Sequence, residues 1–184
     1  TSKTRFAQQH NDELVFRDSL TGLANRSHFI ARLEARLEQS NPNREHSRLL
    51  VDVDNFKRVN VSLGHRIGDQ LLVGLARRLR SALGTGALIA RIASNEFAVL
   101  LEGMDAVAAD SLARDTLVAL DPPLYVEGHP TLISCSIGLT TARPHETDPQ
   151  TLIKHAGLAL HRAKATGGHQ VQVFTEALIA EAGK

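Results

Sequence analysis

The hydrophobic pattern divides the chain into alternating helical and extended segments. Phe29, Ile30, Leu33 and Leu37 recur at helical spacing and predict a helix after the turn-like stretch Asp18-Ser19-Leu20-Thr21-Gly22-Leu23. Residues 40–47 hold Pro42 and several polar side chains and read as a loop. The unbroken apolar run 49–53 predicts a buried strand, and residues 54–60 a short helix. A longer helix is expected over 68–83, with Leu71, Leu72, Leu75, Ala76 and Leu79 on its inner face. Two apolar runs, 87–92 and 97–101, flank a short polar interruption, the pattern of a β-hairpin. A helix over 105–120 ends at Asp121-Pro122-Pro123, because proline cannot continue it. Residues 131–139 predict the fourth main strand, 149–166 a helix stopped by Gly167-Gly168, and 171–174 the last strand.

The order β-α-α-β-β-α-β-α-β contains two strand–helix–strand halves. It predicts an α+β domain with a ferredoxin-like five-stranded sheet flanked by helices, one face of the sheet being covered. Residues 1–17 are expected to be an entry helix or linker from an upstream domain. Residues 18–175 form the domain, and 176–184 an exit linker that begins a further helix. No repeat, low-complexity tract or second core is visible.

Composition narrows the class. The 184 residues suffice for one good core, and 42% hydrophobic with 22% charged residues is ordinary for a globular chain. Twenty-one basic and 20 acidic side chains leave a net charge of +1, which argues against nucleic acid or a lipid surface as partner. The Arg77-Arg78 and Arg80 cluster reads as a solvated helix face. A single cysteine, Cys135, excludes an internal disulfide and suits a reducing cytoplasm; lying in an apolar run, it reads as a small buried hydrophobe. No apolar stretch reaches the roughly 20 residues of a membrane span. The chain begins Thr-Ser-Lys rather than Met, so a cytoplasmic piece of a longer parent is expected, with membrane anchoring of that parent left open.

The chemistry-bearing residues sit between these elements. Asp52-Val53-Asp54 ends the 49–53 strand and is followed by Phe56-Lys57, Asn60, Gly64-His65 and Gly68-Asp69. The hairpin turn reads Ala93-Ser94-Asn95-Glu96-Phe97. With the opening Asp18 to Arg26, the strand Ser134–Gly138 with its Ser-x-Gly, and the helix from Ala156 to Gly167, this layout resembles the GGDEF family of diguanylate cyclases. The resemblance runs from Asp18 to about Phe174 and implies a nucleotidyl-cyclase palm-type fold.

In that family the hairpin normally reads Gly-Gly-Asp/Glu-Glu-Phe, and its acidic third residue joins the strand's first aspartate in holding magnesium against GTP. Here the glycines are Ala93 and Ser94, and the acid is Asn95. Magnesium is a hard cation that prefers carboxylate and phosphate oxygens, so Asp52 is left as a weakened, vestigial metal ligand. Glu96 is not expected to compensate, since neighbouring side chains in an extended segment face opposite ways. The lost glycines would also have allowed close approach and backbone dihedrals that a β-carbon resists.

On the nucleotide side, the resemblance implies base recognition by Asn60 and Asp69, a phosphate contact at Lys57, a phosphate-binding Lys164, and Phe56 within the same motif. Asp69 has an alternative reading as a helix cap. The family's arginine after the last helix is Gly168, and its tyrosine is His161, read as a packing residue. The product-inhibition motif is missing at Gly84 and Ala87.

The resemblance therefore implies a degenerate domain without catalytic residues, with GTP and Mg2+ as its possible ligands. An adjacent EAL phosphodiesterase domain and a homodimer are the possible protein partners; nucleic acid and direct membrane contact are not expected. The hairpin variant also resembles that of a GGDEF–EAL phosphodiesterase tied to biofilm dispersal. Three classes stay open: a GTP-binding regulator, a pure dimerisation or interaction module, and a weak residual cyclase.

Overall fold

The computed structural model describes residues 16–38, 45–142 and 148–182. The expected entry segment 1–17 lies almost wholly outside the described residues. At its end, Arg17 bridges Ala24 and begins the domain. Strand β1 (Ala24–Asn25) leads directly into helix α1 (Arg26–Glu38), where Asn25 Oδ1 accepts from His28 N at 3.0 Å and caps the first turn.

Strand β2 (His46–Val53) follows, then α2 (Phe56–Leu63) and α3 (His65–Leu83), divided by Gly64 at φ 88°. Strands β3 (Leu88–Ala93) and β4 (Glu96–Glu102) form the hairpin, and α4 (Ala106–Leu120) is capped by Asp105. A small ribbon, β5 (Leu124–Val126) and β6 (His129–Thr131), precedes β7 (Cys135–Thr141). Helix α5 (Pro149–Ala165), β8 (Val171–Val173) and α6 (Ala177–Ala182) complete the chain, so the exit segment does begin a helix.

Among the described residues the main sheet has six strands in the order β1-β3-β4-β2-β7-β8, one more than expected. The extra member is the two-residue β1, paired parallel to β3 through Ala24 and Ala90 and too short for any periodicity. Central β2 pairs antiparallel with both β4 and β7.

Both faces of the sheet are covered, which corrects the expectation of one. Leu49, Val51, Phe97, Val99 and Ile137 pack with Leu71, Leu72, Leu75 and Leu79 of α3 and with Ala109 and Ala113 of α4. Leu50, Ala98 and Leu100 pack on the opposite side with Phe29 and Leu33 of α1 and Ala156 and Leu160 of α5. A strand buried on both faces reads as a continuous apolar run, so sequence alone does not say how many faces are covered.

Three further boundaries differ. Strand β2 starts at His46, inside the expected loop, because its first residues are polar yet buried: Ser47 Oγ bonds Met104 O at 3.0 Å and Thr141 Oγ1 at 2.8 Å. Helix α3 starts at His65 rather than 68. Thr131 ends β6 instead of opening the fourth main strand, and the ribbon turns at Glu127 and Gly128, both at positive φ. The Arg78 and Arg80 side chains are not merely solvated: Arg78 donates to the carbonyls of Pro122 and Pro123, and Arg80 to Ala87 O at 3.2 Å. They tie the α4–β5 connection and the α3–β3 loop to α3.

Candidate functional site

Where β2 ends, the chain turns into α2, and Asn60 is carried to the junction with α3. Its Oδ1 is buried and accepts no hydrogen bond among the described residues. A β-carbon on Gly68 would lie 1.9 Å from that oxygen, so glycine at 68 is what lets α3 close over Asn60. An unmet buried acceptor costs about 1–3 kcal/mol, which a ligand's N–H would relieve. Asp69 follows Gly68, is exposed, and lies in the fifth position of α3. That position is past the N-terminus, so Asp69 does not cap the helix. Lys57 is exposed one turn before Asn60 on the same face of α2. Phe56 is 5% exposed and belongs to the core, so within this motif it supports the junction from beneath rather than presenting a surface.

At the end of β2, Asp52 is surrounded. Lys164, from the last turn of α5, places Nζ 2.9 Å from Asp52 Oδ2, with both side chains half-buried. Asn95 Nδ2 donates to Asp52 Oδ1, and also to Val53 O at 3.3 Å. Lys164 Nζ is 3.5 Å from the same carbonyl. Burial raises the Asp52 carboxyl above its ordinary range; Lys164 opposes the rise and Asp54 adds to it.

Glu96 is a correction. It stands directly opposite Asp52 in the β2–β4 register, on the same face of the sheet. Its carboxyl is raised first by burial and then by the charge of Asp52, against the pull of Lys164 and Arg26. Simple alternation fails because the register shifts between Arg91 and Ala93, and Asn95 lies in the turn rather than in a strand. Ala93 and Ser94 sit at ordinary negative φ, so this turn closes without the glycine conformations their loss suggested.

Magnesium is the group the family would place here. Both Asp52 oxygens and the Val53 carbonyl already face donors, and the third hairpin residue offers an N–H. Among the described residues no three His, Cys, Asp or Glu side chains gather as a metal site. The arrangement does not fit a divalent cation.

Asp54, unassigned in the sequence reading, joins three segments. It accepts from Ser134 Oγ at 2.6 Å, Ser136 Oγ at 2.7 Å and His169 N at 3.1 Å. A β-carbon on Gly168 would lie 3.0 Å from Asp54 Oδ2, and Gly168 is at φ +70°, so glycine suits both the turn and the close approach. The sequence signal was the Ser134-x-Ser136 pair opposite a second aspartate.

Asp18 is a second clasp. Burial alone would raise its carboxyl, but hydrogen bonds from Thr21 and the Arg91 guanidinium, 3.1 Å away, more than offset this and hold it low. Arg91 Nε also binds Ser94 O at 3.0 Å, which locks the opening turn to the hairpin.

His161 is exposed rather than packed, because α5 buries Leu152, Ala156, Ala159, Leu160 and Ala163 instead. Cys135 is buried as expected, and burial pushes its thiol up to about 12. Ala87 lines a cleft of about 220 Å³ with His28, Arg32 and Glu102, where Arg32 already pairs with Glu102 at 3.2 Å.

The family model for the diguanylate cyclase GGDEF domain matches residues 15–170. The chain belongs to the GGDEF family. It is 35% identical over 166 residues to the cyclic di-GMP phosphodiesterase NbdA of Pseudomonas aeruginosa, covering 90% of this chain and 21% of that protein. It is 38% identical over 151 residues to the diguanylate cyclase TpbB of Pseudomonas aeruginosa strain PAO1, covering 80% of this chain and 34% of TpbB.

The solved GGDEF domain of TpbB superposes with a TM-score of 0.86 at 30% identity, covering 91% of this chain and 99% of that one. This likeness establishes the α+β cyclase-type fold for the GGDEF domain. The chain spans only about a fifth to a third of these two relatives' length. They include both enzymes that make and enzymes that hydrolyse cyclic di-GMP. No helix among the described residues is long and apolar enough to cross a membrane.

Proposed function

We propose that this GGDEF domain does not synthesise cyclic di-GMP and acts as a guanine-nucleotide-responsive module of a larger cyclic-di-GMP signalling protein, a phosphodiesterase. The observation that carries the reading is Asn95: its amide donates to Asp52 at the position where the family places an acid. Losing that charge removes transition-state stabilisation worth several kcal/mol, hence several orders of magnitude in rate. Asn60, with its unmet buried acceptor, supports nucleotide binding over a pure interaction surface.

One observation favours a weak residual cyclase: Glu96 stands beside Asp52 and could return a carboxylate. The inactive reading is preferred because Asp52 already has a donor on each oxygen.

Incubation with GTP and Mg2+ or Mn2+, followed by chromatography, is expected to yield no cyclic di-GMP. Turnover that disappears in Asp52→Ala would overturn the reading. GTP can alter an attached phosphodiesterase only by binding its two arrangements unequally. A GTP titration of the parent's cyclic-di-GMP hydrolysis is expected to shift its rate, and Asp69→Ala to remove that shift. A flat response would leave the domain as a spacer or dimerisation surface.

A further inference from the structure

The strongest unexplained arrangement is the saturated carboxylate at the end of β2. Asp52 Oδ2 holds the Lys164 ammonium at 2.9 Å, Oδ1 holds the Asn95 amide, and the same two donors face Val53 O. The Asp52 side chain is only 15% exposed and that of Lys164 32%, so water screens their attraction incompletely. A divalent cation entering here would have to expel a bound ammonium and turn an amide around. It would also have to shed its own tightly held water. What it would gain is Asp52 and Glu96, a pair that Lys164 already serves electrostatically.

We infer that the Lys164 ammonium, held by Asp52 and the Val53 carbonyl beside the Asn95 amide, is a built-in replacement for the divalent cation, so that guanine nucleotides bind here independently of Mg2+. The inference rests on the guanine-nucleotide reading above and adds the form of ligand the site takes: the nucleotide without its metal. A protein-borne charge cannot be removed by chelation, so the site would respond to guanine nucleotide at any magnesium level. In contrast to an active cyclase, binding would not commit two metal-loaded nucleotides to reaction.

Two measurements on the full chain test it. Calorimetric titration with GTP in millimolar Mg2+ and in EDTA is expected to give dissociation constants within about twofold of each other. Tightening of about tenfold or more by Mg2+ overturns the inference.

The second measurement omits nucleotide and uses Mn2+ as a paramagnetic probe of backbone amide resonances. In the wild-type chain the Val53 and Asn95 amides are expected to stay sharp. In Lys164→Met and in Asn95→Asp they should broaden, and GTP binding should become Mg2+-dependent. Having two variants keeps the test alive if one of them folds poorly. Broadening of those amides in the wild-type chain overturns the inference, as does failure of both folded variants to gain it. Absence of GTP binding in both buffers would instead defeat the guanine-nucleotide reading, while the Mn2+ arm still decides the cation question.

Discussion

At the α2–α3 junction the Asn60 oxygen is buried with no donor among the described residues, whereas at the end of β2 both oxygens of Asp52 are taken. The two places thus differ in what they lack. An unmet acceptor is a standing cost that only a ligand, a water or a rearrangement removes. A carboxylate with an ammonium and an amide on it has no unmet acceptor, and the cost it keeps is that of burying its charge. The contrast teaches that substituting Asn95 does more than delete a charge. Its amide supplies a donor, and the donor occupies the oxygens that would otherwise attract a cation.

The largest expected effect comes from Asp54, the other carboxylate of the pair. If Asp54 were an acid poised beside Asp52 for a metal, removing it would relieve repulsion and stabilise the domain. Its three donors say otherwise. Asp54→Ala leaves the hydroxyls of Ser134 and of fully buried Ser136 without their acceptor, while the His169 N–H keeps only Ser136 Oγ at 3.1 Å. A loss of about 2–4 kcal/mol is expected in denaturant unfolding. A stability equal to or above wild type would move Asp54 from the scaffold to the site.

A second expectation follows strand β2 to its other end. Burial, with the charges of Arg48 and Arg36, lowers the His46 imidazole from its ordinary value to about 4. The unfolded chain therefore binds this proton more readily, and stability falls as pH drops from about 6.5 toward 4. The ceiling is on the order of 3 kcal/mol. Asp52 and Glu96 have the opposite sign: their raised carboxyls bind protons more readily in the folded state, so acidification relieves them. Melting temperatures measured from neutral pH down to about 4.5 should fall in the wild-type chain and fall less in His46→Gln. Parallel profiles for the two proteins would assign the acid sensitivity elsewhere.

What the sequence made legible divides along physical lines. The inner face of α3 was readable because Leu71, Leu72, Leu75, Ala76 and Leu79 repeat at helical spacing, and all five are buried. The start of β2 was not, since His46, Ser47 and Arg48 are polar side chains that tertiary partners carry into the interior. The β5–β6 ribbon was hidden among Pro122, Pro123 and Pro130, residues that usually mark the absence of strands.

At the site, the identities of Asn60, Asp69, Asp52 and Lys164 were readable, but their bonding was not. That Asn95 and Glu96 both turn toward Asp52 depends on a register shift in β3 that no alternation rule supplies. The structural role of Asp54 needed Ser134, Ser136 and His169, about 80 to 115 residues away, to be brought together.

The last expectation is the smallest in free energy and the sharpest for the contrast between the two places. Gly68→Ala places a methyl group 1.9 Å from the present position of Asn60 Oδ1, so that side chain must swing away. The methyl also lies 3.3 Å from Phe56 Cζ, which limits how far the junction can open. Alanine inside α3 gains about 1 kcal/mol of helix propensity, which offsets much of the crowding. Overall stability is therefore expected to stay within about 1 kcal/mol of wild type. GTP affinity should fall by about tenfold or more, the loss of one good hydrogen bond to the base. Calorimetry on the two proteins at matched stability separates the possibilities. Unchanged affinity would show that the unmet Asn60 oxygen is a packing defect, and that the α2–α3 junction is no readier for a ligand than the end of β2.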